Sequence, residues 1–428
     1  MNPRRLVLFV ALAVPVTAHA QTDSLRLADV RAWTASNDPR RAQIELLASQ
    51  SALRLQNINA EMLPAFSVDG LAQYQSDVAK INVTLPGVNL PSPKNDTYDA
   101  RIGAQQRLYD PSIRPRQAIE RAQLAESQAR VRSAIYSLNE SANSAFFVAL
   151  RAQFQIDEFQ NTIKDLEAQL QVALSRVKAG IALSSEANAL RAEIMRRRQN
   201  VSEQQAARAA AIAILSDITG KTIDPQIVLA MPAGNDSLTR TAVASIRARP
   251  EYEQFARTRE VLEANARSRS AQDKPRISAF GRLGYGRPGL NPLNDRFDTY
   301  WLSGVQLQWT PWSWGSSARD RQVAELQRQI VTSEEQAFTQ QVERSIEQDL
   351  TSIDRLERAL AEDDEIIALR ESILSETRSR YRESVITSAE YVDRQTDVLS
   401  ARVARALHRV ELAQARIHLR TTLGMEIR

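Results

Sequence analysis

Two long stretches of the chain contain almost none of the residues that end helices. No proline lies between Pro115 and Pro225, and that interval holds only two glycines. The stretch 313–428 likewise has no proline and two glycines. Because proline and glycine are the usual helix breakers, both stretches predict very long helices. A helix over 112–180 would extend about 100 Å, which is longer than a compact domain can enclose.

Apolar residues in the first stretch recur with the spacing of a coiled coil. Two columns repeat every seven residues: Leu138, Ala145, Ala152, Phe159, Leu166 and Ala173 in one, and Ala142, Ala149, Ile156, Ile163, Leu170 and Val177 in the other. The second stretch keeps one such column, at Ile346, Ile353, Leu360, Ile367, Leu374 and Tyr381. Apolar residues that recur at alternating spacings of four and three residues predict a coiled-coil seam, and the rest of the helix surface stays polar. The periodicity alone is equally compatible with an ordinary helical bundle.

The chain is internally duplicated. Residues 66–74 match 277–285 at an offset of 211. Further along, 215–220 match 419–424 at an offset of 204. Each copy is far longer than the repeat unit of a solenoid, so we interpret the pattern as a duplicated domain.

Each half predicts the order helix, two strands and two long helices. After residues 1–20, the first half covers 21–223, with strands at about 66–76 and 97–108 and long helices at about 112–180 and 185–220. The second half covers 224–428, with strands at about 277–287 and 299–310 and long helices at about 316–383 and 388–423.

The predicted strands alternate between apolar and polar residues. In 97–108 the even positions, such as Tyr98 and Ile102, are apolar, and only Gln106 breaks the pattern. Segments of about ten residues with this alternation suit the wall of a membrane β-barrel, although a half-buried soluble sheet alternates equally well. Aromatic residues near the strand ends predict a membrane girdle of Tyr74, Tyr98, Tyr109, Tyr285, Tyr300, Trp301, Trp309 and Trp312.

Four strands cannot close a transmembrane barrel, because the smallest such barrels have about eight strands. One chain therefore cannot form a pore alone. Three copies would supply about twelve strands, which can close. The sequence thus predicts a homotrimer in contact with outer-membrane lipid.

The N-terminus predicts export. Arg4 and Arg5 precede an apolar run, 6–16, and the small residues that signal peptidase requires follow it, so Gln21 should begin the mature protein. No later stretch of about 18 apolar residues appears, which argues against a membrane-spanning helix. The absence of cysteine excludes disulfides, thiolate metal sites and lipoprotein acylation.

Charge and motifs argue against nucleic-acid binding and catalysis. The formal charge of +4 falls by two, to about +2, once Arg4 and Arg5 leave with the signal, and both signs are interspersed. His408 and His418 are ten apart on one predicted helix, which is typical of surface residues. The segment 220–222 resembles the end of a phosphate loop, but Leu215 occupies the position of its first glycine. We expect no enzymatic activity, no cofactor and no metal site.

Several ordered features together resemble the TolC family of outer-membrane efflux proteins. They are the duplicated halves, the strand-to-helix passages 109–112 and 312–315, and two turns between long helices that read RVKAG (176–180) and RYRES (380–384). The resemblance implies a mainly α protein with a trimeric twelve-stranded β-barrel on a long α-helical coiled-coil barrel. It also implies the outer membrane of a Gram-negative cell, with a long periplasmic extension.

The same resemblance implies a function. TolC-like proteins are passive exit ducts of tripartite efflux pumps or type I secretion systems. Their partners are a periplasmic adaptor and an inner-membrane pump of the RND, ABC or MFS type. The adaptor-contacting helical tips would be Gly180, Ile181, Ala182, Leu183, Ser184, Ser384, Val385, Ile386 and Thr387. We weighed a second interpretation, a periplasmic coiled-coil adaptor (membrane-fusion protein) or scaffold, but such adaptors usually carry one helical hairpin between lipoyl-like and small barrel domains.

By the same resemblance, the pore gate or selectivity ring would consist of Glu186, Tyr381, Glu390 and Asp393. Threefold symmetry turns each acid into a ring that attracts cations. A purely structural interpretation also explains the acids, because Thr387 with Glu390 can form a capping box, and Ser184 or Ser185 can cap the matching helix. Two positions depart from the family pattern. Ser384 replaces the usual glycine, and Ile386 replaces an arginine that latches to an acid.

Overall fold

A computed structural model describes residues 24–78, 94–232, 246–291 and 296–425. The predicted signal peptide, 1–20, and the cut before Gln21 lie outside these ranges. Across them, no helix is both long and apolar enough to cross a bilayer.

Eleven elements follow one another in the described residues. The first half contains α1 (Leu27–Asn37), α2 (Arg41–Ala60), β1 (Ala65–Tyr74), β2 (Asp96–Tyr109), α3 (Ile113–Lys178) and α4 (Ser184–Thr219). The second half contains α5 (Pro250–Gln272), β3 (Arg276–Arg287), β4 (Asp298–Gln308), α6 (Ser316–Arg382) and α7 (Ser388–Thr422). The protein is mostly helical with a small sheet, in agreement with the predicted class.

Two helices, rather than one, precede the strands of the first half. Helix α1 ends at Asn37 because Asp38 precedes Pro39, and a residue before proline is disfavoured in the helical region. Asp38 is extended, with ψ of 122°, and its carboxylate accepts a hydrogen bond of 2.7 Å from the Arg40 amide. Bonds from Arg40 also lower the pKa of Asp38. The predicted order includes α2 as the helix before the strands, and α1 is an additional helix that it does not contain.

The long helices pair into two hairpins. Helices α3 and α6 have 66 and 67 residues, and each extends about 100 Å. Helix α4 returns along α3, and α7 returns along α6. Every residue of both predicted seam columns on α3 is buried or half-buried. The seam therefore packs α3 into the protein, and α3 also contacts α7 of the other half.

Charged pairs join α6 to α7. The Arg402 guanidinium contacts the Glu371 carboxylate at 2.6 Å. Near the other end, His418 Nδ1 lies 2.6 Å from Asp349 Oδ2. The hydrogen bond with Asp349 is the main cause of a raised pKa at His418, although burial of the imidazole opposes it. Polar and charged pairs thus connect α7 to α6 at several points along the second hairpin.

The sheet joins the two halves side by side. Its strand order is β1-β2-β3-β4, and each neighbouring pair is antiparallel. Strands β2 and β3 come from different halves and pair directly, for example at Ile102 and Leu283. A register shift between Arg107 and Tyr109 places Tyr109 opposite Ile277. The helices leave from one end of the sheet, where β2 runs into α3 and β4 into α6.

Candidate functional site

One face of the sheet is apolar from edge to edge. Directly paired residues of neighbouring strands project to the same side of a sheet. One row crosses all four strands through Val68, Ile102, Leu283 and Trp301. Their exposed fractions lie between 57% and 83%. A contiguous apolar surface of this kind marks contact with lipid or with another protein.

The aromatic residues predicted as a girdle lie near both ends of this face. Tyr74, Tyr98 and Tyr285 lie at the end away from the helices, whereas Tyr109, Trp309 and Trp312 lie at the helical end. Trp301 and Trp309 are eight residues apart along β4 and its extension, which corresponds to about 26 Å. Outer-membrane barrels have an apolar band of about 25 Å between their aromatic girdles. Contact of these rings with lipid stays a prediction.

Tyr300 does not belong to this aromatic set. It pairs with Gly284, which pairs with Arg101, so Tyr300 projects from the opposite, polar face of the sheet. Its hydroxyl donates a hydrogen bond of 2.6 Å to Asp99 Oδ1. Strand alternation requires this placement, because the neighbouring Trp301 projects to the apolar face. The prediction of Tyr300 as a girdle residue is wrong.

The two outer strands of the sheet, and the helices connected to them, have exposed surfaces without a partner in the described chain. β1 and β4 are the outer strands, each paired on one side in the described chain, and all ten residues of β1 are exposed. Helix α2 leads into β1, and α6 follows β4. Each of these helices carries an exposed apolar row, with Leu46 and Leu53 on α2 and Val323, Leu326 and Ile330 on α6. The unpartnered surfaces of sheet and helix therefore lie on the same two sides of the protomer.

The first helical tip is a tight turn with apolar residues exposed. Gly180 has φ of +73°, and the Ile181 amide bonds back to the Arg176 carbonyl at 2.9 Å, which is a common helix ending around glycine. Ile181 and Leu183 are 69% and 73% exposed. Leu183 is the N-cap of α4 and provides no side-chain cap. Ser184 instead begins the helix, so the predicted serine cap at this tip is wrong.

The second tip has the same turn without a glycine. Ser384 has φ of +63°, and the Val385 amide bonds to the Arg380 carbonyl at 3.0 Å. A side chain in the left-handed region is strained, because its Cβ approaches the carbonyl oxygen. Thr387 caps α7, and its hydroxyl accepts a bond of 3.3 Å from the Glu390 amide. This half of the predicted capping box is present.

Tyr381 lies at the centre of the packing between the two hairpins near their tips. It has no exposed surface, and its ring stacks on Tyr391 with centroids 5.3 Å apart. Arg176 of the other hairpin reaches across and donates to the carbonyl oxygen of Tyr381 at 2.8 Å and to that of Arg382. A basic side chain on the last carbonyls of a helix is favourable. The sequence did not predict these hydrogen bonds between the hairpins, although Arg176 lies in the turn motif.

The hydroxyl of Tyr381 is buried without a hydrogen-bond partner in the described part of the chain. Burial, with the negative charge of Glu186 second, raises the pKa of Tyr381. The phenol therefore stays protonated.

The three acids predicted for the gate are spread over both tips. Glu186 lies in the first turn of α4 and is half-buried near Tyr381. Glu390 and Asp393 lie on α7 and are exposed, and Asp393 is 3.7 Å from Arg394. One chain brings Glu186 close to Tyr381 and leaves Glu390 and Asp393 on the surface, where only other copies could complete a ring. Their role in gating stays a prediction.

Among the described residues, no group of three or more metal-ligating side chains is clustered well enough to hold a metal ion. The distinctive features of the molecule are therefore its surfaces: an amphipathic sheet with free edges and two exposed helical tips.

Solved structures of outer-membrane channels have the same architecture over nearly the whole chain. CusC, described with its transmembrane channel formation, is 14% identical and matches 93% of this chain and 92% of its own, with a TM-score of 0.72. The Vibrio cholerae outer membrane protein VceC is 13% identical and matches 94% and 97%, with a TM-score of 0.67. The Neisseria gonorrhoeae MtrE outer membrane channel, in its open state, is 17% identical and matches 94% and 90%, with a TM-score of 0.68. The chain has the TolC-like fold.

At the level of sequence, no protein-family model and no curated protein matches. The likeness to TolC-like channels is therefore carried by architecture, and the predicted fold resemblance is confirmed. At identities of 13–17%, the individual tip residues of this TolC-like chain must be argued from their own contacts.

Proposed function

We propose that three copies of this chain form a channel in the outer membrane and act as a passive exit duct. Three four-stranded sheets would close a barrel of twelve strands, and the long helices would continue it as a tunnel across the periplasm. The observation that carries the proposal is the sheet, whose exposed face is apolar and whose two edges are free. The TolC-like fold of known outer-membrane channels supports the same assembly.

Hydrogen bonding explains why the sheet must be completed. Unpaired backbone groups on an edge strand cannot remain unsatisfied in lipid, where each costs several kcal/mol, roughly 2–7. A closed barrel removes every edge, and about twelve strands lie well within the known range of transmembrane barrels. The free edge of β1 on one protomer would pair with β4 of the next.

The helices next to those edges support the same contact. The α2 row (Leu46 and Leu53) and the α6 row (Val323, Leu326 and Ile330) lie beside the edge strands β1 and β4. When β1 of one protomer meets β4 of the next, α2 and α6 of those protomers also become neighbours. Burying both rows removes apolar area from water and stabilises the trimer.

The helical tips would meet the partners. Exposed Ile181, Leu183 and Val385 form an apolar surface at the end of the tunnel, which suits a coiled-coil adaptor. The adaptor would connect the duct to an inner-membrane pump of the RND, ABC or MFS type, and the pump would supply the energy. The acids are not needed for this contact, and Glu390 and Asp393 would instead form rings at the pore mouth.

Fractionation and conductance test the proposal. The exported protein should remain with the outer membrane after a high-salt wash and run as a trimer that heat converts to monomer. In a planar bilayer the purified trimer should form channels. A protein that washes off the membrane, or that is a monomer without detergent, would contradict the proposal and favour an adaptor or scaffold.

A further inference from the structure

The polar face of the sheet contains an aromatic side chain that lies flat against the backbone. The Tyr300 ring starts on β4, crosses β3 and reaches Asp99 on β2, where its hydroxyl bond is 2.6 Å long. A Cβ added at Gly284 would lie 2.3 Å from Tyr300 Cζ. The ring therefore occupies the space that any side chain at position 284 would need.

A second glycine makes room for the acceptor. A Cβ added at Gly286 would lie 2.9 Å from Asp99 Oδ1 and 2.8 Å from the Tyr98 carbonyl oxygen. Glycine inside a strand often marks such a close approach. The bond between Tyr300 and Asp99 thus runs over two glycines of β3 and stays close to the sheet.

Charged neighbours extend this arrangement to the other edge. Arg101 Nη1 lies 3.6 Å from Asp99 Oδ2, and Arg101 Nε lies 3.5 Å from Asp69 Oδ2 on β1. Asp69, Arg101, Asp99 and Tyr300 therefore form one polar belt from β1 to β4. In a closed barrel, three such belts would follow one another around the inner wall.

A second aromatic ring on this face also lies over a glycine. The Phe280 ring lies over Gly304 of the neighbouring strand, where an added Cβ would be 3.0 Å from Phe280 Cζ. Two aromatic rings thus lie over glycines of adjacent strands on the polar side. Rings that lie along a wall leave the space in front of it open.

We propose that Tyr300, held flat over Gly284 by Asp99, sets the width of the pore at this level. The inference rests on the proposed function, in which the polar face lines the pore. Twelve strands about 4.8 Å apart and tilted by about 40° give a backbone radius of about 12 Å. Three rings turned away from the wall would occupy roughly a third of the open cross-section.

Gly284→Ala tests the inference because its methyl group displaces the ring. In planar bilayers we expect its single-channel conductance to fall below that of wild type, by less than about a third because this level is in series with the long helical tunnel. Gly284→Ala combined with Tyr300→Ala should restore the conductance, because no ring remains to be displaced. Gly281→Ala is the matched control, since an added Cβ at that position, on the apolar face of the same strand, has no neighbour within 4 Å.

The outcomes separate this inference from the proposed function. A wild-type protein that forms no channels would contradict the proposed function itself. Channels of wild-type conductance in Gly284→Ala, or a loss that Tyr300→Ala does not reverse, would overturn the role of the ring. If Gly284→Ala does not assemble, Tyr300→Phe provides the test, because it removes the hydrogen bond to Asp99. We expect this variant to show lower mean conductance and more open-channel noise than wild type. A current trace like that of wild type would overturn the inference.

Discussion

Removing one apolar side chain from the free edge of α6 should weaken the trimer. Leu326 is 58% exposed in the protomer. Fully burying a leucine contributes about 1.5–3 kcal/mol, so covering this fraction contributes about 1–1.5 kcal/mol at each interface. Three equivalent interfaces raise the total to about 3–5 kcal/mol per trimer. Because alanine keeps part of that area, Leu326→Ala should cost about 3 kcal/mol, or about a hundredfold in the trimer dissociation constant.

Sedimentation of the detergent-solubilised protein over a dilution series measures this constant directly. Thr332→Ala is the control, because Thr332 is also exposed on α6 but lies at least about 120° around the helix from each residue of the α6 row. The membrane fraction of both variants should be compared first, so that a folding defect is recognised. Equal trimer stability in the two variants would refute the placement of the α6 row at the interface.

Three further predictions concern the tips and the second hairpin. Glu390→Gln with Asp393→Asn should abolish cation preference in reversal-potential measurements, since it removes two acids from each protomer; an unchanged preference would exclude the proposed ring. Ser384→Gly should raise the free energy of unfolding by about 0.5–1 kcal/mol, because relief of the left-handed strain exceeds the extra entropy of glycine in the unfolded chain; equal thermal stability would contradict this. The raised pKa of His418 means that its contribution to stability is fully present below about pH 6.5 and is lost as pH rises through the higher folded pKa. Asp349→Asn should flatten that dependence in unfolding measured from pH 6 to 8, and an unchanged slope would assign it to another group.

The sequence predicted the helical class because its strongest signals are long-range and redundant. Proline-free stretches and a heptad column both require α3 to be long, and burial along that column follows. Helix α1 was missed because it is short and its end depends on one dipeptide, Asp38-Pro39. Residue type places Tyr300 with the girdle, whereas strand alternation directs it to the face opposite Trp301, which is the polar face.

Contacts between distant helices could not be predicted in the same way. The tie from Arg176 to the carbonyl of Tyr381 joins residues 205 apart, and no local pattern encodes it. The N-cap of α4 was also not predicted, because Leu183 occupies it although the next residue, Ser184, is of a type that usually caps helices. Closure of the sheet into the proposed barrel lies beyond one chain, because the strands that would complete it would belong to other copies.

The free edges of the sheet also make a single protomer prone to aggregation before the proposed assembly. A single protomer presents the ten exposed residues of the outer strand β1, next to an apolar face. Such an edge is a template for pairing with any other extended chain, and it aggregates when left in water. If the proposed barrel forms, single protomers must be kept apart until they associate, and their insertion into lipid must be coupled to closure of the barrel.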